Sequence, residues 1–347
     1  MKTLEVSQVM PSSGNAADSS ANVSTQNQTT RKRVPFDGGN RFIKWFDDCG
    51  NPRKIPSYIY YFKDWERSPQ RVDKDSVLIE SDGKTFVVGQ LAKEFGGRPT
   101  FECDKNLLAK DLFLVALDPG IDNDRLVVET LAIATPDTGN DAAMSSLKKL
   151  GGVRTFKRNG REVKALIRHV EVVDEGLTAW RFAYRKGLFL YAQNNAVLDL
   201  GGGTGIGRII TPSGNIIDSA TVIVPGTAKL ASKIAWGLQG KESFTPDADL
   251  IMDAIESGTY LYPTMSGSIS FEGIFHQCRR DWLAEVRAKL KQSWLNQFNK
   301  VGEVLIVGGS AELARELDGR GRYKLATHNQ VANFPQFINL YGLSEAQ

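Results

Sequence analysis

Short apolar runs cut by Gly, Pro, Asn and Asp alternate along this chain with stretches in which apolar residues recur every three or four positions. The first pattern predicts strands joined by tight turns, the second helices with one buried face. Val34-Pro35-Phe36 and Phe42-Ile43-Lys44-Trp45-Phe46 flank Asp37-Gly38-Gly39-Asn40. Val197-Leu198-Asp199-Leu200 leads into Gly201-Gly202-Gly203-Thr204 before Arg208-Ile209-Ile210 resumes an extended pattern. Both read as hairpins of one design, an apolar strand ending on a carboxylate, bare glycines, and a second strand. Further strands are expected at Ile55 to Tyr61, at Ser76 to Glu80 and Lys84 to Gly89, at Leu126 to Ala134, and at Thr155 to Val173 around Arg158-Asn159-Gly160.

Helices are expected through Leu107, Leu108, Leu112, Val115 and Ala116, and from Asp141 to Leu150. Another follows Val222-Ile223-Val224 and carries Leu230, Ile234 and Trp236. The strongest runs from His276 to Phe298, where Trp282, Val286, Leu290, Trp294 and Phe298 form a stripe widened by Leu283 and Leu295. Asp174 is placed as the N-cap of a helix entered after Val172-Val173. Val304-Leu305-Ile306-Val307 is a buried strand that meets Gly308-Gly309-Ser310 and a helix start, and Asn333 to Leu343 reads as a capped closing helix. Strands alternating with helices place the chain in the α/β class.

A length of 347 residues passes the roughly 250–300 at which single cores stop growing, so two domains are expected. Segments near 65–106 and 238–270 read as small insertions. Residues 1–33 are rich in Ser, Asn, Gln, Thr and Ala and read as a disordered tail. Its terminal Arg31-Lys32-Arg33 is either an anionic contact point or a solvated charge run. A net charge of +3 is too small to argue for direct nucleic-acid binding. The three cysteines (Cys49, Cys103, Cys278) and three histidines lack metal-ligand spacing. No run reaches the ~18–20 apolar residues of a membrane span and no secretion signal opens the chain, so a cytoplasmic location is expected.

Glycines lacking Cβ let backbone N–H groups approach an anion, and Asp199 at a strand end could hold hydrated magnesium. The GxxxxGK[ST] loop and the dinucleotide fingerprint both fail on these residues. A hairpin with no ligand remains open for each copy, but two copies suit a nucleotide clamped between similar domains. Gly308-Gly309 offers bare backbone for a flat base, or a simple tight connection. Glu175, at a helix start, is either a first-turn charge helped by the macrodipole or a site residue.

Taken in order, these stations resemble the actin-like ATPase superfamily, which includes actin, the large heat-shock chaperones and sugar kinases. Val34 to Phe46 is similar to its first phosphate hairpin, Val197 to Ile210 to the second, and Val304 to Leu313 to the adenosine motif. Val170 to Ala179 resembles the connection that carries the water-positioning residue. Glu175 and the closing Pro335-Gln336-Phe337-Ile338-Asn339 with Gly342 look most like ParM-type bacterial actins. The resemblance implies a two-domain actin-like ATPase fold with a nucleotide cleft between domains. Domain I would comprise 34–190 and 330–347, and domain II 191–329, each with its insertion.

By the same resemblance, Mg2+ and ATP, with GTP possible, are the implied cofactors. Asp37 and Asp199 would hold the metal through water and serve catalysis with Glu175, which orients the attacking water. Gly38, Gly39, Asn40, Gly201, Gly202, Gly203 and Thr204 would wrap the phosphates, and Gly308, Gly309 and Ser310 would face the adenosine. Ile206 departs from the family's second hairpin, which usually carries another Asp there. The implied function is a filament-forming nucleotidase whose partners are copies of itself, with a DNA-bound adaptor as a second implied partner, in plasmid or DNA segregation or intracellular positioning. The alternative is a small-molecule, sugar-type kinase on the same fold.

Overall fold

The computed structural model describes residues 28–100, 105–189, 193–239, 245–328, 331 and 333–345. The hairpin of β1 (Gln28–Gly38) and β2 (Phe42–Phe46) is extended by β3 (Pro52–Pro56). β4 (Tyr58–Phe62), β5 (Ser76–Ser81), β6 (Lys84–Gly89), the short helix α1 (Gln90–Glu94) and β7 (Arg98–Pro99) form an antiparallel lobe. Next come α2 (Lys105–Leu112), which tightens into a 3-10 turn at Phe113–Ala116, and β8 (Arg125–Thr135). α3 (Asp141–Lys148), the hairpin of β9 (Gly152–Arg158) and β10 (Arg161–Asp174), and α4 (Leu177–Arg185) complete this half.

The described strands of this half share one sheet in the order β3-β2-β1-β8-β10-β9-β5-β6-β4-β7. β1, β8 and β10 lie parallel at its centre. Their apolar residues Val34, Phe36, Val128, Leu131 and Ile167 are buried with Leu112, Phe113 and Leu147. The β9–β10 turn ties the antiparallel lobe to this centre. Asn159 and Gly160 take positive φ (50° and 79°), as a two-residue hairpin loop requires. Asn159 Oδ1 accepts from Leu78 N and Asn159 N–H donates to Leu78 O, both at 2.8 Å.

In the second half β11 (Asn194–Leu200), β12 (Thr204–Ile210) and β13 (Val222–Pro225) are antiparallel neighbours. α5 (Thr227–Gln239), α6 (Ala248–Glu256), the ribbon of β14 (Leu261–Thr264) and β15 (Gly267–Ser270), and α7 (Glu272–Trp294) follow. β16 (Val301–Val307) pairs in parallel with β11, β17 (Tyr323–Leu325) flanks it, and α8 (Phe334–Ser344) is the last described element. The sheet order is β13-β12-β11-β16-β17. Its two central strands are parallel and covered on both faces, which is why they read as near-continuous apolar runs. Trp282 and Trp294 of α7 are fully buried yet satisfied, their Nε1–H groups donating to Pro225 O (2.9 Å) and Ala220 O (2.7 Å).

Several sequence expectations are corrected. α7 begins at Glu272 and ends at Trp294; Leu295 is exposed and Phe298 sits in a 3-10 turn, because the stripe leaves the core where the helix unwinds. Trp236 lies in α5 as expected and is 81% exposed, because two residues past buried Ile234 it falls on the opposite side of the helix. The segment after Ser310 is a 3-10 helix, Ala311–Leu317. The fold also starts earlier than Val34, since Gln28 to Arg33 pair with β8 from Arg125 to Thr130. A polar composition hides such a strand, because its stability comes from a ladder partner distant in sequence. Arg33 is no solvated charge either; it bonds Glu171 at 2.6 Å. The remainder of the expected tail, residues 1–27, lies outside the described residues, as does Cys103.

α4 and α8 lie where the two halves meet. Ala132, Val173, Trp180, Phe182, Val197, Leu305, Val307, Phe334 and Ile338 share one buried cluster that draws on both sheets. The helices cross backbone to backbone at Gly342, where any Cβ would overlap the Thr178 carbonyl. Among the described residues no helix is long and apolar enough to cross a membrane.

Candidate functional site

The turns between β1 and β2 and between β11 and β12, the ends of β10 and β16, and the start of α8 surround a cavity of about 230 Å³. Asp37, Gly39, Asn40, Glu175, Asp199, Gly201, Gly202, Thr204, Gly308, Gly309 and Ser310 line it, as does the departing residue Ile206. Elements far apart in the chain thus bring most of the expected residues to one place. Gly38 and Gly203 are not on its wall. Gly38 packs near the Phe36 ring, and Gly203 lines an adjoining cleft of about 380 Å³.

The two hairpin tips face each other. A Cβ at Gly202 would lie 2.9 Å from Arg41 Cβ, and one at Gly203 2.9 Å from Asn40 Nδ2, so glycine is what allows this approach. Gly308 has φ 95° and packs so closely on Asp199 and Leu200 that a side chain would overlap both. Ser310 is already committed: its N–H donates to Leu200 O (2.9 Å), and its hydroxyl bonds Gly201 O (3.1 Å) and Thr227 Oγ1.

Asp37 stands directly opposite Lys44 in the hairpin register, and Lys44 Nζ bonds its Oδ2 at 2.7 Å. Burial pulls the Lys44 ammonium toward its neutral form, but Asp37, with Asp199 and Glu175 behind it, outweighs burial and holds the pKa above the ordinary value. Burial likewise pushes the Asp199 carboxyl up, offset only in part by the hydrogen bond from Asn339 and the charge of Lys44. Asp37, buried, and Asp199, half-buried, both act on the Lys44 charge and offer hard oxygen donors whose charge a divalent cation would complete, so the residues fit magnesium held through water. The one compact three-ligand group among the described residues, Asp47, Asp48 and Cys49, is a separate surface turn in which Asp47 Oδ1 accepts from Cys49 N and Asn51 N.

Glu175 follows β10, its N–H donating to Thr135 O at 2.8 Å. Its carbonyl accepts from Arg208 Nη1 at 2.8 Å, so β12 of the second sheet braces the connection. Asp174 does not cap α4. It accepts from Thr138 N (3.1 Å) and Thr138 Oγ1 (2.6 Å) and pairs with Arg208 at 3.2 Å. The cap position is Gly176 at φ 81°, so Asp174 is still extended strand and points away from the helix start.

Several residues with no role assigned from sequence belong to the site. Lys44 could have been found from hairpin register, seven positions after Asp37. Asn339 donates to Asp199 Oδ2 at 2.5 Å; a lone amide on an apolar helix carries no such signal. Met252, Ile255 and Leu313 supply an apolar wall. The cleft mouth is bridged by ion pairs between the halves: Arg41 to Asp253 (2.8 Å) and Glu256 (3.2 Å), Lys54 to Glu256 (2.6 Å), and Lys93 to Asp253 (2.6 Å).

No family model and no curated protein matches the chain. Solved structures do. The archaeal actin homolog Ta0583 superposes with a TM-score of 0.74 at 17% identity, over 90% of this chain and 98% of its own. A ParM from Clostridium botulinum superposes at 0.70 and 16% identity, over 91% and 98% of the two chains. A ParM from Bacillus thuringiensis superposes at 0.63 and 17% identity, over 90% and 96%. Likeness of this extent across both sheets and the helices between them shows that the chain has the two-domain actin-like fold of ParM-type proteins.

Proposed function

We propose that this protein binds ATP or GTP with Mg2+ in the cavity, hydrolyses it, and polymerises with copies of itself under nucleotide control. The observation that carries the reading is the convergence of Asp37, Asp199, Glu175 and two glycine hairpins on one cavity. Domain I would comprise residues 28–190 and 330–347, domain II 191–329, with insertions near 65–106 and 238–270. The archaeal homolog has also been solved in complex with ADP, the Bacillus ParM with ATP, and the Clostridium ParM as a 15-stranded filament. The cellular role would be plasmid or DNA segregation, or positioning of another cargo, in the cytoplasm through an adaptor.

Phosphoryl transfer needs mostly positioning and charge stabilisation. Backbone amides of Gly39 and Gly202 cradle the phosphates beside Gly201, whose own N–H closes the hairpin on Thr204 O at 3.0 Å, and Lys44 sets a cation against them. Bound magnesium would supply further neutralisation of phosphate charge. Asp37 and Asp199 would be the residues that hold it, through water. Glu175 accepts a hydrogen bond from the attacking water and aligns it. Gly308-Gly309 and the Met252, Ile255 and Leu313 wall would receive the base.

Pelleting, light scattering and phosphate release, each with Mg-ATP, Mg-GTP and no nucleotide, test the proposal. Assembly and turnover with one triphosphate and neither without it are expected. Monomers at tens of micromolar in every condition, an order-of-magnitude ceiling for weak assembly, would remove the filament. Phosphate transfer to a sugar without hydrolysis would install the kinase.

A further inference from the structure

One side chain outside the expected set touches both chemical stations of the cavity. Asn339 is buried on α8. Its Nδ2 donates to Asp199 Oδ2 at 2.5 Å, while its Oδ1 accepts from Thr178 Oγ1 at 2.8 Å and from Gly176 N at 3.3 Å. The amide cannot turn over. A carboxylate only accepts and a backbone N–H only donates, so a flip would set oxygen against oxygen and N–H against N–H. Asp199 belongs to the second phosphate hairpin, and Gly176 is the residue after Glu175.

α8 is well placed for this task. Its Pro335 carbonyl accepts from Gly308 N at 2.8 Å, which ties the helix start to the end of β16. One turn beyond Asn339, Gly342 lets α8 meet α4 at Thr178. The Asp199 carboxylate is therefore gripped on one oxygen by Asn339, while its Oδ1 lies against Gly308.

Resting on the nucleotide reading above, we infer that Asn339 is a positioning residue that fixes the Asp199 carboxylate for the metal and holds it at a set distance from the Glu175 segment. A hydrogen bond to a charged acceptor in a buried place is among the stronger kinds. Its loss leaves Asp199 able to rotate and leaves the Gly176 N–H and the Thr178 hydroxyl without their acceptor. Both stations loosen together, although neither Asp199 nor Glu175 has been altered.

The test compares wild type, Asn339→Ala and Thr178→Val by two measurements. One is the rise in Tm with ADP alone and the further rise on adding Mg2+. The other is kcat and KM for the triphosphate across a Mg2+ titration. Asn339→Ala should keep the rise with ADP alone and lose most of the Mg2+ increment. Its Mg2+ midpoint should rise about tenfold and its kcat fall about 10- to 100-fold, as expected for a lost charge-assisted hydrogen bond, with KM nearly unchanged. Thr178→Val, which spares the Asp199 contact, should keep the Mg2+ midpoint and lose turnover alone; it serves as the second arm if the alanine variant does not fold. A wild-type Mg2+ increment and midpoint in Asn339→Ala, or a raised midpoint in Thr178→Val, overturns the inference. A wild-type protein that shows no Mg2+ increment removes the nucleotide reading and this inference with it.

Discussion

Asp199 is held in a setting that disfavours its charge. With its folded pKa above the ordinary carboxylate value, the group destabilises the nucleotide-free protein at neutral pH, and the penalty is relieved as pH falls through that raised pKa. Asp199→Asn, nearly isosteric, should therefore raise the Tm of the nucleotide-free protein by a few degrees, the scale of roughly 1 kcal/mol in a large domain. It should also abolish the Mg2+-dependent part of nucleotide stabilisation. Differential scanning fluorimetry reads both, and an unchanged Mg2+ effect would take Asp199 out of the metal site. Glu175→Gln should bind nucleotide normally and lower kcat about 100-fold, the scale of a lost proton-handling group; wild-type turnover in stopped-time assays would remove Glu175 from the chemistry. These carboxylates were legible because each ends an apolar run beside glycines or a helix start. Lys44 was legible only through register. Asn339 stood out only as one residue of the closing ParM-like stretch and its role was not legible, since the meaning of a buried amide lies in partners such as Asp199 and Gly176, more than a hundred residues away in the chain.

At the scale of elements, the strands and helices of the core followed from periodicity, while ends and exposure did not, and α1, α6, the β14–β15 ribbon and β17 were not anticipated. Leu230 and Ile234 mark the buried face of α5, yet Trp236 falls outside it, since hydrophobicity alone does not tell a core position from a surface one. β1 shows the opposite failure: its first residues are polar, and only pairing with β8 makes them strand. A protein beginning at Gln28 should keep the wild-type Tm, whereas one beginning at Val34 loses the Gln28 to Arg33 ladder and the Arg33–Glu171 pair. Thermal melts should then drop for the shorter protein alone; equal melts would mean that those pairings carry no stability. Gly342 offers a sharper test. Gly to Ala inside a helix ordinarily stabilises by up to about 1 kcal/mol, but here the added methyl meets the Thr178 carbonyl. Gly342→Ala should instead destabilise by about 1–3 kcal/mol, the cost of overpacking, seen as a lower urea midpoint.

For the whole molecule, the two-domain architecture was legible in the order of the glycine stations, but the bridge across the cleft mouth was not, because charges at Arg41, Lys54 and Lys93 look like any solvated surface. Each exposed pair is worth at most about 1 kcal/mol, yet Asp253 and Glu256 are shared among three cations, so opening the cleft breaks them together. Release of a fluorescent nucleotide should accelerate severalfold between low and high salt and in Asp253→Ala/Glu256→Ala, with the salt effect reduced in that variant; salt-independent release in wild type would dismiss the bridge. The Asn159 turn gives this bridge a mechanical meaning. Because Asn159 bonds Leu78 through both backbone and side chain, the β4–β7 lobe is bolted to the central sheet and travels with it as one rigid arm. Lys93 of α1, carried on the same lobe, closes on Asp253 of the other half, so a shift of the central sheet on filling the cavity would reach the cleft mouth through this lobe, and a probe placed beside Lys93 would report it.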